Sequence, residues 1–383
     1  MSQALLLPPG ANTVYVPRLR IKAGGIALPS PVEASVTQTN TWEASKFSAG
    51  IALKDTDAMN AVWWSEQVDV RVEIDFSVDG GVNFTPVISG VVDAIEIDYA
   101  GNYLTINGRD LAALLIDQKT ANSYTNMTAS EVATAMAVSA GLGTTHITAT
   151  TVPVGEFYAS DHVRLDGGDL SRAITKWDLL IYLAQHEGFD LFVLGSDLYF
   201  QPPAVSTAIP FQVNVGRNAS GAYANIDNLT MRRDLTLAKD VKVTVKSVNS
   251  AAGNVFTATA TGPAVGTSLG ETQRYVFYQP NLTLAQAQNL ANQKLAEISR
   301  HERVIRFECA GELSLTPFGV VRLSGTGTPF DQLYYPDQIT RTMSFSDGFR
   351  QQVVAKNHTA SEQVALASGG TGASGLDYLT GGQ

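Results

Sequence analysis

Val68-Asp69-Val70-Arg71-Val72-Glu73-Ile74-Asp75-Phe76 alternates apolar with charged side chains along its whole length. Successive side chains of a β-strand point to opposite faces, so this period of two predicts a strand with one face in a core and one in water. Just downstream, Asp79-Gly80-Gly81 supplies a hairpin turn, since its glycines tolerate positive φ. A second hairpin follows: Val91-Val92-Asp93-Ala94-Ile95-Glu96-Ile97-Asp98, the turn Tyr99-Ala100-Gly101-Asn102, then Tyr103-Leu104-Thr105-Ile106-Asn107. A short helix from about Asp110 to Asp117 closes the region after Gly108. Upstream, Val14-Tyr15-Val16-Pro17-Arg18-Leu19-Arg20-Ile21 and Val32-Glu33-Ala34-Ser35-Val36-Thr37 also read as strands. Residues 1–120 are therefore expected to form a first β-barrel-like domain.

The pattern changes over residues 121–225, which read as a small α/β module. Thr128 and Glu131 have the spacing of a capping box and open a helix of small residues to about Ala140, ended at Gly141. A second helix starts near Thr175 with Asp178 in its first turn, carries Trp177, Leu180, Ile181 and Ala184 on one face, and stops at Gly188. A tight hairpin follows, Phe189 to Leu194, turning at Gly195-Ser196 into Leu198-Tyr199-Phe200.

Residues 226–362 return to strands and are expected to form a second β-barrel-like domain. Val241-Lys242-Val243-Thr244-Val245-Lys246 alternates, Arg274 to Tyr278 is strand-like, and Gly253 to Gly270 reads as a mobile hairpin or loop. One helix, residues 284–300, is inserted there, opened by a Thr283…Gln286 capping box. Its expected apolar side is Leu284, Ala287, Ala291, Leu295 and Ile298. Residues 363–383, Gly-rich from Ser368, form a tail that is flexible unless docked. The expected fold class is mainly β with an α+β insert: two β-barrel-like domains in tandem plus the small α/β module.

Composition narrows the function. The 383 residues are 44% hydrophobic and 16% charged, against roughly 25% charged in an ordinary soluble domain. That rules out disorder as the overall state. It calls for a surface covered by amides, hydroxyls and partner proteins. The net charge of −10 is uneven, at −6 over residues 1–115, −5 over 116–225 and +1 over 226–383. Nothing resembles the clustered cations of a DNA-gripping groove, whereas an acidic wall that DNA slides past fits the balance. The N-terminus lacks the basic start of a signal peptide, and no segment reaches the ~18 apolar residues of a membrane span, so no membrane insertion is expected.

No chemical motif survives inspection. Cys309 is the sole cysteine and reads as a buried strand residue, so neither an internal disulfide nor a thiolate cluster is available within one chain. The five histidines, His146, His162, His186, His301 and His358, lie far apart. His301-Glu302-Arg303-Val304-Ile305 begins like a zinc-protease motif but has Ile where the second ligand must stand. Gly262 to Gly270 is glycine-rich yet has no lysine for a phosphate. Paired carboxylates are the hardest enzyme class to exclude, because a glycosidase needs only two acids close in space. The candidates are Asp93, Glu96 and Asp98, read as a solvated strand face, and Asp161, Asp166 and Asp169, read as a polar loop between modules. Trp63-Trp64 could stack on a sugar but reads better as core plus interface. No catalytic, cofactor or metal residue is expected, and the protein is expected not to be an enzyme.

Two stretches resemble a known family. Val87-Ile88-Ser89-Gly90-Val91-Val92-Asp93-Ala94-Ile95, followed by Tyr103-Leu104-Thr105-Ile106-Asn107-Gly108-Arg109-Asp110-Leu111, is similar to the strand, Gly, strand, Gly-Arg-Asp, helix passage of phage tail baseplate hub proteins of the late-control protein family. The helix and hairpin from Leu183 to Phe200, and the course from helix 284–300 through Pro317-Phe318-Gly319-Val320-Val321-Arg322-Leu323 and Phe330 to Tyr335, resemble the same family. The resemblance spans about residues 85–356. It implies a virion protein of the tail baseplate, made in the bacterial cytoplasm: a homotrimer whose six similar barrels join a hexameric tail tube to a trimeric central spike, beside other baseplate proteins, while DNA passes the lumen without specific binding. The acidic bias of residues 1–225 then suggests lumen-facing carboxylates. The open alternatives are the hub of a related contractile injection or gene-transfer particle, and a glycan-binding or cell-wall-degrading tail component.

Overall fold

The computed structural model describes residues 15–357 apart from positions 41, 121–122, 152, 155, 159–160, 166–173, 203–209, 219–220, 236–240, 250–253, 263–272, 280–281, 283 and 300–301. The chain runs β1 (Arg18–Ala23), β2 (Ile26–Ala27), β3 (Pro31–Thr39), β4 (Lys46–Ala52), α1 (Ala61–Glu66), β5 (Arg71–Ser77), β6 (Thr85–Asp98), β7 (Tyr103–Asp110) and α2 (Ala113–Ile116). Next come β8 (Lys119–Thr120), β9 (Ser123–Thr125), α3 (Ala129–Ser139), β10 (Gly143–Ile147), β11 (Glu156–Tyr158), β12 (Asp161–Leu165), β13 (Ile174–Thr175), α4 (Lys176–Glu187), β14 (Asp190–Leu194) and β15 (Asp197–Gln201). The remainder is β16 (Phe211–Asn218), β17 (Gly221–Ala224), β18 (Asn228–Arg233), β19 (Val241–Asn249), β20 (Asn254–Thr261), β21 (Gln273–Tyr278), α5 (Leu284–Ser299), β22 (Arg303–Ala310), β23 (Val321–Ser324), β24 (Leu333–Ser344) and β25 (Gly348–Lys356). The architecture is mainly β, as the alternating segments require.

Two compact units share this chain. The first comprises Met1–Val205, Glu308–Phe318 and Asp337–Val353, and the second Ser206–Phe307, Gly319–Pro336 and Val354–Gln383.

In the first unit the strands pair in the order β24-β3-β4-β7-β6-β5-β1-β2. Although β1 and β3 are five places apart in that order, they lie against each other, so the sheet curls back on itself like a barrel. Its interior holds Ile21, Val36, Ile51, Trp64, Ile74, Phe76, Leu104 and Ile106, each 2% exposed or less. These are the apolar phases of the alternating strands. Gly80 and Gly81 take φ of 83° and 95° in the turn between β5 and β6. Asp79 fastens that turn: its carboxylate accepts from Ser77 Oγ and from the backbone N–H groups of Val82 and Asn83. These bonds hold the carboxyl down at about 2.

The same unit contains a helical layer with its own core of Ala133, Met136, Leu180, Leu183, Leu191 and Phe200. Both expected capping boxes are present, Thr128 with Glu131 and Thr175 with Asp178, and Gly188 ends α4 in the left-handed conformation at φ 72°. The β14–β15 hairpin is extended by β10, which pairs parallel to β15. On that small sheet His146, Tyr199 and Phe192 are cross-strand neighbours. They stack at centroid distances of 4.0 and 4.6 Å, with Phe318 on Phe192 at 3.6 Å. Residues 161–165, expected in a loop, form β12 between β11 and β9. Backbone bonding to two neighbours prevailed there over a polar composition.

In the second unit β16 pairs parallel to β23 and antiparallel to β17, and β23 turns antiparallel to β24. A separate sheet, β20-β19-β21, packs on α5. Val243, Val245, Ala258, Ala287 and Ala291 fill that junction. Leu284, expected on the apolar side of the helix, is 54% exposed. It stands at the first position of α5, beyond the reach of the sheet core. Of the expected loop from Gly253 to Gly270, residues 254–261 form β20, and 263–270 lie outside the described residues, as do Thr283 and the tail.

Candidate interaction surfaces

Among the described residues no group of His, Cys, Asp and Glu could hold a metal ion. His146 stacks on Tyr199, and burial lowers the basicity of His186 in the last turn of α4. His301, His358, Asp166 and Asp169 lie outside the described residues. Cys309 is buried in β22 against Gln351 Nε2 at 3.3 Å. Trp64 is 1% exposed and meets Trp63 edge-on at 4.9 Å, so this pair anchors α1 in the core. A shallow groove of about 670 Å³ beside Leu19, Val32, Met343 and Phe345 has, among the described residues, Arg18 as its one charged lining residue and no carboxylate or histidine beside it.

The Gly-Arg-Asp passage is a joint between strand and helix. Asp93 is the extra residue of a bulge in β6, between Val92 opposite Gly108 and Ala94 opposite Asn107. Its carboxylate accepts two bonds from the Arg109 guanidinium, both at 2.7 Å, while Asp117 takes the other edge at 3.0 and 3.2 Å. The neighbouring Asp110 is buried and accepts from the N–H groups of Ser45 at 2.8 Å and Ala112 at 2.9 Å. Burial pushes its carboxyl up to about 6 despite those bonds. Gly90 and Gly108 are dictated by close approach, since a Cβ on either would sit 2.1 Å from a carbonyl oxygen of the facing strand.

Two broad sheet faces remain open. On the first unit, the outward pairs of β6 and β7 are Ala94 with Asn107, Glu96 with Thr105 and Asp98 with Tyr103. Next to them in register come Ser48 and Gly50 on β4, then Ser35 and Glu33 on β3. The Tyr103 hydroxyl donates to Glu33 Oε1 at 3.0 Å, and burial together with that acid holds it up at about 12. Glu33, Glu96 and Asp98 are exposed, and between them lie small side chains and the Tyr103 ring, which crosses Gly50 to reach Glu33. Asp93, the third acid of the expected cluster, is instead turned into the Arg109 joint.

On the second unit, the face of β20-β19-β21 opposite α5 forms a grid. Its rows are Thr261, Lys242 and Arg274; Thr259, Thr244 and Val276; Thr257, Lys246 and Tyr278; and Val255 with Val248. Tyr278 is 75% exposed. The three strands contain no Asp or Glu. Lys242 and Arg274 stand side by side, which costs stability as like charges do in a sheet. Sequence reading missed this basic face because the strands forming it are separated by the Gly/Thr/Ala-rich stretch; the alternation of Lys242, Thr244 and Lys246 was its only signal.

The sequence matches the family model of the Alg8 N-terminal domain over residues 69–344. No curated protein sequence matches it. Among solved structures, the fold is similar to the tail protein from Neisseria meningitidis MC58, with a TM-score of 0.65 at 16% identity over 90% of this chain and 97% of that one. The 43 kDa tail protein of prophage MuSo2 from Shewanella oneidensis gives a TM-score of 0.60 at 14% identity, over 88% and 96% of the two chains. An Escherichia coli component of the type VI secretion system, itself structurally similar to the T4 bacteriophage tail proteins gp27 and gp5, gives 0.52 at 9% identity over 89% and 77%. The fold of this chain is therefore that of phage tail proteins and their type VI relative.

Proposed function

The chain belongs to the family of the Alg8 N-terminal domain, and from its fold we propose that it is a structural baseplate hub of a phage tail, without enzymatic activity. In this reading three copies join a hexameric tail tube to a trimeric central spike, among other baseplate proteins, and surround a channel that DNA crosses without specific binding. Each chain contributes a barrel-like domain over 1–120, the α/β module over 121–225, a second barrel-like domain over 226–362 and the tail.

The observation that supports the reading most is the extent of the fold likeness: nine-tenths of this chain superposes on nearly all of a tail protein. The surface adds to it, with two open faces of opposite charge and no converging catalytic groups among the described residues. The type VI likeness supports a second reading, the hub of a related injection particle with the same mechanics. Solution mass with low-resolution imaging tests the assembly. A threefold ring of about 120 kDa is expected for three chains in closed cyclic symmetry, and a monomer at all concentrations would overturn it. Release of cell-wall fragments by the purified protein would overturn the non-enzymatic part.

A further inference from the structure

We propose that the acidic face of β3, β4, β7 and β6 on one copy docks on the basic face of β20-β19-β21 on a second copy. The inference rests on the homo-oligomeric reading and names its contact. Glu33, Glu96 and Asp98 on one side answer Lys242, Lys246 and Arg274 on the other. On the basic face Lys242 and Arg274 are paired neighbours; on the acidic face Glu96 and Asp98 stand two residues apart on β6 with Glu33 across β7 and β4, while Lys46 lies at the other end of that face beside the Arg109 joint, so the charges to be opposed are those of its acidic end.

Shape agrees with charge. Ser35, Ser48 and Ala94 keep part of the acidic face low while the Tyr103 ring lies over Gly50, and threonines flank the cations of the basic one, so two sheets can approach to the roughly 10 Å of face-to-face packing. Tyr278, Val276, Val248 and Val255 supply exposed apolar area beside the cations. The basic grid covers about 350 Å², from strand spacing and rise, against about 800 Å² per partner in a stable interface. One such contact is weak and depends on a closed ring.

The two faces differ, so the contact can repeat head to tail, each copy offering its acidic face to one neighbour and its basic face to another around a closed ring, or it can form reciprocally in a twofold pair. The three-copy reading takes the ring.

The test is sedimentation velocity of the full chain at low and high salt, for the wild type, K242E/R274E, E96K/D98K and the four-fold combination. Each reversal is expected to raise the concentration at half assembly at least tenfold, the combination to recover most of that, and salt to weaken the wild type. An oligomer indifferent to both reversals, or a combination that recovers nothing, would overturn this contact while leaving the oligomeric reading standing; a wild-type monomer would overturn both. Circular dichroism checks folding, and K242Q/R274Q replaces any variant that fails to fold, with the same direction expected. Duplex DNA bound by the wild type and lost in K242E/R274E, with assembly unchanged, would assign the basic face to nucleic acid and overturn the proposal.

Discussion

Asp110 shows how much one side chain can carry. It holds the N–H groups of Ser45 and Ala112 with its two oxygens, so Asn can satisfy only one of them. Its native carboxyl keeps the proton to about pH 6, whereas the unfolded chain releases it near 3.8. The native state therefore binds more protons in that window, and the Asp110 contribution to stability falls as pH rises through it. Denaturant midpoints of the wild type and D110N should diverge on acidification from pH 7 to 4, in favour of the wild type by up to about 3 kcal/mol. A pH-independent difference would refute the assignment. Gly108 is constrained differently, by contact: a Cβ there meets Val91 O and the Phe47 ring. G108A is expected to cost at least about 3 kcal/mol, the upper range for overpacking, and calorimetry showing a neutral change would contradict this close approach.

Elements with local signals were legible. The Thr175 and Asp178 spacing marked the start of α4, and Gly188 its end, because capping chemistry acts within one turn of the chain. T175A removes the bond that the Asp178 N–H donates to Thr175 Oγ1 and should cost about 1 kcal/mol. A melting temperature equal to the wild type would show that tertiary packing carries the start of α4 unaided. The β6–β7 hairpin was equally legible from its turn. The pairing of β3 with β24 was not, since Ser35 and Thr342 lie three hundred residues apart and nothing in either strand names the other. The Phe318 stack was hidden for the same reason. Pro317-Phe318 read as a motif, and only folding brings the ring onto Phe192 at 3.6 Å. Phe318 is half-buried, so F318A should destabilise the first unit by about 1–3 kcal/mol, the range for burial of one aromatic side chain and its stack, and an unchanged denaturation midpoint would show the ring to be peripheral.

For the whole molecule the issue is where the charge goes. The acidic excess of residues 1–225 led to the expectation of lumen-facing carboxylates, but Glu33, Glu96 and Asp98 share one barrel face that a neighbouring copy could cover. The acids left for a lumen include Glu66, exposed at the end of α1, and Asp69, exposed in the loop that follows. If they repel passing DNA, particles carrying E66K/D69K should deliver their genome more slowly, and unchanged infectivity would count against an acidic lumen there.

Near neighbours along the chain set the strands through alternation, the helix ends through caps and the hairpin turns, and composition set the low content of charge. Which of those pieces share a surface is set by long-range pairing. Alternation places Lys242, Lys246 and Arg274 on strand faces, but three cations become one field only when β21 aligns with β19 in parallel register. Likewise Glu33 joins Glu96 and Asp98 only through β4 and β7. The physical reason is range: dihedral preference and capping act over a few residues, whereas charge and packing act across space between strands whose pairing depends on the whole fold.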